Sequence, residues 1–163
     1  MKTIRPLQDT DLGWTHALNQ ANGEELSYLS PDAFAARVNS STYALVSDPE
    51  AGFLMAFREP PVGDTTNFDW LRKKAPNGVY VDRVVIAPKN RGEGRARKLY
   101  EALFETAVVR GADAITCEIN LDPPNSASKA FHEAMGFKQV GEAALPGGKT
   151  VAYLVLDLTE AGS

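Results

Sequence analysis

Six consecutive residues, Arg91-Gly92-Glu93-Gly94-Arg95-Ala96, combine the types needed to hold a diphosphate. A valine-rich stretch, Val84-Val85-Ile86, runs through Ala87 and Pro88 into this glycine-containing turn, and a helical pattern opens behind it. The first amides of a helix lack internal partners and point outward along the positive end of its dipole. Glycine removes the side chains that would keep a phosphate from those amides. Lys89, Arg91, Arg95, Arg97 and Lys98 crowd the same window, opposed there only by Glu93. On a chain of formal net charge −4, local positive charge of this kind suits a small polyanion bound at one place, with a solvated helix face as the plain alternative. A Walker loop requires Gly-Lys-Ser/Thr, whereas the chain has Gly94-Arg95-Ala96. A dinucleotide fingerprint requires a third small residue where Arg97 stands, near the start of a doubly wound domain rather than its middle.

The elements that must position this turn follow from periodicity. Gly78–Ala87 reads as the strongest strand, ended by Pro88 because proline cannot continue a ladder. Ala96, Leu99, Tyr100, Leu103, Phe104, Ala107 and Val108 form one stripe at helical spacing, and Gly111 ends that helix. Ala114–Ile119 is the next strand. With a helix between them, the two strands are expected to lie parallel. Asp122-Pro123-Pro124-Asn125 breaks the chain, and Asn125 caps a helix carrying Ala127, Ala130, Phe131, Ala134 and Met135 up to Gly136. Phe137–Leu145 and Val151–Leu158 make a hairpin turned by Pro146-Gly147-Gly148.

Upstream, Lys2–Arg5 reads as a short strand. A helix capped by Asp9 or Thr10 runs to about Ala21 with Leu12, Ala17, Leu18 and Ala21 inward. Ser30-Pro31 starts a second helix, ending near Val38. Tyr43–Ser47 and Gly52–Phe57 pair around Asp48-Pro49-Glu50-Ala51. Arg58 to Gly78 is a long connection whose Phe68, Trp70 and Leu71 need cover, so it is expected to form a short helix or lid over a site. The sum is an α/β (α+β) fold, a mixed and mostly antiparallel sheet of about seven strands with about four helices and a central parallel pair, in one domain over residues 1–163.

Bulk properties narrow the classes. Hydrophobic content of 44% and charged content of 23% are ordinary for a globular chain. Acidic balance argues against nucleic acid as the main partner, and no apolar run approaches a membrane span. Lys2, Arg5, Asp9 and Asp11 leave no room for a signal peptide, and Cys117, the single cysteine, permits no internal disulfide. A cytoplasmic location is the expectation. No metal site is expected.

Arg91-x-x-Gly94-x-Ala96 resembles the Arg/Gln-x-x-Gly-x-Gly/Ala motif of the GNAT superfamily of N-acetyltransferases. The resemblance runs from about Gly78 to Leu158. It includes the Val84-Val85-Ile86 strand and Pro88 before the motif, and an Asn125 that opens a helix ending in Gly136-Phe137. It implies acetyl-CoA as cofactor, its pyrophosphate on the amides of Arg91, Gly92, Glu93, Gly94, Arg95 and Ala96. The pantetheine arm would pair with Val84, Val85 and Ile86, and the two parallel strands would splay where the thioester enters. Asn125, with Ser128 and Phe131 on its helix, would complete the site.

The chemistry so implied is direct attack by a neutral amine on the thioester in a ternary complex. A group must take the amine's proton and another must polarise the carbonyl. A main-chain amide near Val84 or Val85 suits the carbonyl. The family's proton donor to the thiolate is often a tyrosine after the position of Phe131, and here that position is His132. Asp82 and Tyr80 on the central strand and Glu118 on the next are the candidates for the base. For Asp82 an ion pair with Arg83 or a neighbouring strand is the structural alternative. Cys117 reads as a buried strand residue rather than a nucleophile, and His16 lies on a surface helix. The acceptor is expected to be a small-molecule amine, its pocket shaped by the Arg58–Gly78 connection, the first two helices and the Leu145–Val151 turn. A homodimer is compatible with the family. The alternative function is an acyl-CoA-binding domain without turnover.

Overall fold

The computed structural model describes residues 3–122 and 124–161. Lys2 and Pro123, which fall in the expected first strand and chain break, lie outside the described residues. Seven strands form one sheet: β1 Ile4–Pro6, β2 Tyr43–Ser47, β3 Gly52–Phe57, β4 Gly78–Ile86, β5 Ala114–Asp122, β6 Lys138–Ala144 and β7 Thr150–Asp157. Their order is β1-β2-β3-β4-β5-β7-β6, and every pair is antiparallel except β4–β5. The helices are α1 Leu12–Ala21, α2 Gly23–Leu26, α3 Pro31–Ser40, α4 Thr66–Lys74, α5 Arg95–Val109, α6 Ser126–Met135 and α7 Leu158–Ala161. The expected fold class holds. The long connection supplies a fifth full helix, α4, and the four-residue α2 and α7 have no counterpart in the sequence pattern.

Three layers result. On one face α5 packs Leu99, Tyr100, Leu103 and Ala107 against Leu54, Val81 and Ile115 of the sheet, with Phe131 and Met135 of α6 at its margin. On the other face α3 contributes Phe34 and Val38, α4 contributes Phe68 and Leu71, and α1 leans in with Leu12 and Leu18. β3 is apolar without alternation because both of its faces are covered, and all six of its residues are buried.

Several inward positions differ from the periodic reading. On α1, Ala17 and Ala21 are exposed, while Thr15 and Asn19 are buried. The Thr15 hydroxyl donates to the Asp11 carbonyl at 2.7 Å, and Asn19 is needed by an arginine described below. Neither Asp9 nor Thr10 caps α1. Asp11 is the organising residue, accepting from Arg5, from the Gln8 amide and from the Trp14 indole. Val108 is 53% exposed and so drops out of the α5 stripe. On α6, Ala127, Ala130 and Ala134 face solvent and His132 takes the buried position.

α4 is clamped on the sheet rather than free over it. The Trp70 ring stacks on Tyr153 of β7 with centroids 4.1 Å apart, and the Tyr153 hydroxyl donates to Asn67 at 2.7 Å. Gly141 on β6 leaves room for that indole, since a Cβ there would stand 2.4 Å from the Trp70 ring. α4 thereby becomes a fixed wall.

Candidate active site

The parallel pairing of β4 with β5 is brief. Gly78, Val79 and Tyr80 face Ala114, Ile115 and Thr116, and beyond these no register is kept although both strands continue for six residues. A bulge opens in β4 at the same level, where Met55 faces Arg83 and the next residue of β3, Ala56, faces Val81. Asp82 is the surplus residue. Bulges bend a strand and re-aim its side chains. Val81 and Val84 therefore share the α5 face, while Asp82 and Arg83 both turn toward α1 and α3.

Three cavities meet at this gap. The first, about 600 Å³, is lined by Val84, Val85 and Ile86 of β4 and by Arg91, Gly92, Gly94, Arg95 and Ala96 of the following turn. Asn125, Ser128, Phe131 and His132 of α6 close its far side. All the residues expected around a cofactor line this cavity except Glu93, whose carboxylate accepts from Arg95 Nε at 2.7 Å. Gly92 and Gly94 sit at φ 80° and 77°, the left-handed region, and a Cβ added at either would meet nothing within 4 Å. The start of α5 thus presents bare backbone to open space. Asn125 caps α6 by accepting from the Ser128 amide at 3.1 Å. Arg95 is buried and donates to Ser47 Oγ at 2.9 Å and to the Asp48 carbonyl at 2.7 Å, so its charge braces the turn against the end of β2.

The second cavity, about 100 Å³, occupies the splay between Val81–Val84 and Cys117–Asn120, with Tyr100 and His132 behind it. His132 is 4% exposed and both ring nitrogens are engaged. Nδ1 lies 2.7 Å from the Ser128 carbonyl, which can only accept, so Nδ1 carries the proton. Nε2 then accepts from the Tyr100 hydroxyl at 2.8 Å. Burial lowers the pKa of His132, favouring the neutral ring. Cys117 is buried at 3% exposure and burial raises its thiol pKa well above the ordinary value, which makes it a poor nucleophile.

The third cavity, about 430 Å³, lies on the α1–α3 side and shares Asp82, Arg83, Glu118 and Asn120 with the second. Leu26 of α2 touches all three cavities. Glu118 is half-buried and accepts a hydrogen bond from the Tyr80 hydroxyl. Burial pushes the Glu118 pKa up to about 8, reinforced by the negative charge of Asp82 and opposed by the Tyr80 hydrogen bond and by Arg83 and Arg37. Burial likewise raises the Tyr80 pKa well above the ordinary value.

Asp82 has a different environment. Its two oxygens accept from Arg37 Nε and Nη2, each at 2.8 Å, and Oδ2 also accepts from Arg83 Nε at 3.0 Å. Both oxygens of the Asp82 carboxylate are taken by guanidinium donors, and the ion-pair alternative describes it. Arg83 goes on to donate to Asn19 at 2.7 Å and to the Ser27 hydroxyl at 2.9 Å. That grip holds Ser27 at φ 112°, a conformation strained for any residue but glycine. Asp82→Ala should cost about 3–5 kcal/mol in urea denaturation, because it strands two buried guanidinium groups.

Sequence reasoning missed Arg37. The signal was present: Arg37 shares the buried face of α3 with Phe34 and Val38, and a cation on an apolar stripe requires a carboxylate partner. Its partner stands 45 residues away. Tyr100 was read only as core.

The chain matches the family model described as acetyltransferase (GNAT) family over residues 13–137. It is 36% identical over 67 residues to an L-2,4-diaminobutyric acid acetyltransferase of Wolinella succinogenes. That match takes in 41% of the chain and spans 39% of the length of that enzyme. An N-acetyltransferase from Staphylococcus aureus Mu50 superposes with a TM-score of 0.75 at 20% identity, covering 97% of this chain and 99% of that one. The ribosomal-protein-S18-alanine N-acetyltransferase from Escherichia coli gives 0.69 at 19%, covering 97% and 94%. An aminoglycoside 6'-N-acetyltransferase complexed with coenzyme A gives 0.71 at 14%, covering 96% and 97%. These likenesses are to the fold. With the family match spanning most of the sequence, the chain belongs to the acetyltransferase (GNAT) family.

Proposed function

We propose that this chain is an acetyl-CoA-dependent N-acetyltransferase, one domain over residues 1–163, acting on a primary amine of a small acceptor in a ternary complex. The observation that carries this reading is the meeting of three cavities at the β4–β5 splay. A glycine-lined helix start lies on one side and a high-pKa carboxyl on the other. Family membership and the coenzyme A seen in a structural neighbour support the cofactor.

The amides of the Arg91–Ala96 turn receive the pyrophosphate, and the edge of β4 at Val84, Val85 and Ile86 receives the pantetheine arm. Amine nitrogen attacks the thioester carbon while a main-chain amide near Val84 or Val85 polarises the carbonyl. The C–N bond forms, the C–S bond breaks, and the amine's proton passes to ionised Glu118. A thiol with a pKa near ~8.5 leaves as the thiolate without an obligatory acid. Tyr80 orients Glu118, and Asp82 anchors Arg37 and Arg83. His132 holds Tyr100 and the first turn of α6, a positioning role in place of proton delivery.

That His132 keeps no proton for a thiolate also favours a second reading, an acyl-CoA-binding domain without turnover. Calorimetry with acetyl-CoA, coenzyme A and NAD, followed by thiol release on an amine panel, separates these possibilities. Micromolar acetyl-CoA binding with turnover is expected. Binding without turnover would favour the second reading, and preference for NAD would mean the turn has been misread.

A further inference from the structure

The charges around the third cavity are unevenly paired. Arg37, Arg83 and Lys149 line it, as do Asp64, Asp82 and Glu118. Two of the cations share the single carboxylate of Asp82. The exposed Asp64 carboxylate accepts from the Thr66 amide and hydroxyl. Glu118 is held by the Tyr80 hydroxyl and, in the reaction proposed above, faces the amine. The two arginines are thus engaged within the protein, and Lys149 is the cation of this lining that an acceptor can use.

Lys149 is half-buried. It stands on the turn between β6 and β7 and donates to the main-chain carbonyl of Glu24 on α2. No carboxylate pairs with it among the described residues. An ammonium has three donors, and a carbonyl uses one. A polyamine reaching outward from Glu118 would set a second positive charge against Lys149. A neutral amine would leave Lys149 unused. A carboxylate would satisfy it.

We infer that the acceptor is a zwitterion of amino-acid type, its amine presented to Glu118 and its carboxylate received by Lys149. The inference rests on the transferase reading above. The cavity volume of about 430 Å³ is ample for such a molecule.

Matched acceptors that differ only by a carboxylate test it: 2,4-diaminobutyrate against 1,3-diaminopropane, ornithine against putrescine, lysine against cadaverine, and phenylalanine against phenethylamine. Thiol release should favour the carboxylate-bearing member of at least one pair. For that member Lys149→Met should lower kcat/KM by roughly 10- to 100-fold, carried in KM, as expected for loss of a charge-assisted contact. Lys149→Arg should restore most of it. The same Lys149→Met change should raise kcat/KM for the diamines, since it removes a like charge. Equal or better turnover of the decarboxylated partners, or an equal loss on both, overturns the zwitterion while leaving the transferase intact. Bound acetyl-CoA with no amine turned over sinks the transferase reading and this inference with it.

Discussion

Gly94→Trp should lower the affinity for acetyl-CoA by roughly 100-fold or more, at least about 2.7 kcal/mol, with the fold retained. Gly94 is the residue from which α5 springs, at φ 77°, and the space beyond its Cα is empty to 4 Å. An indole placed there meets no protein atom at its root. It fills the room in front of the unpaired amides where the proposed pyrophosphate lies. Backbone strain in the left-handed region adds about 1–2 kcal/mol of destabilisation. Gly94→Ala separates the two effects, because it carries the strain without the bulk and should keep binding within about tenfold. Calorimetry and a thermal melt on both variants read the result. Tight binding by Gly94→Trp would place the cofactor elsewhere.

Glu118→Gln should lower kcat/KM by roughly 10²- to 10⁴-fold and remove a pH dependence. A base must be ionised to accept a proton, so wild-type turnover should rise with pH through about 8 and then level. The variant should show no such limb. Stability should move in the opposite sense. The folded pKa of Glu118 lies above the ordinary value of 4.5, so the fold holds this proton more firmly than the unfolded chain does. The resulting stabilisation is complete below pH 4.5 and is lost as pH rises to about 8. Glutamine stays neutral throughout, so Glu118→Gln should melt higher than wild type at pH 9. A variant that loses both activity and stability would mark Glu118 as merely structural.

The readable parts of this chain are those governed by local rules. β2 and β3 have the ends that their composition implies, and the Asn125 and Gly136 limits of α6 follow from capping chemistry. The strand–turn–helix around Gly94 was legible because steric freedom and unpaired amides are properties of adjacent residues. What escaped depends on distance. Asp82 reads as a partly dry carboxylate until Arg37 arrives from α3. His132 reads as an available imidazole until Tyr100 of α5 and the Ser128 carbonyl claim its nitrogens. On α1 the periodic reading put alanines inward, whereas the sheet beneath presents Arg83, which needs Asn19. By sequence Glu118 stands level with Asp82 and Tyr80, and only its half-burial beside Tyr80 sets it apart.

The surplus residue in β4 also bears on inheritance. Without Asp82, the strand would alternate without interruption, with Tyr80, Arg83 and Val85 on one face and Val81, Val84 and Ile86 on the other. Loss of that one codon leaves every other side chain of the strand on its present side. It removes the kink together with the anchor of two arginines. Because that loss would strand Arg37 and Arg83, the kink and the two arginines must be inherited together.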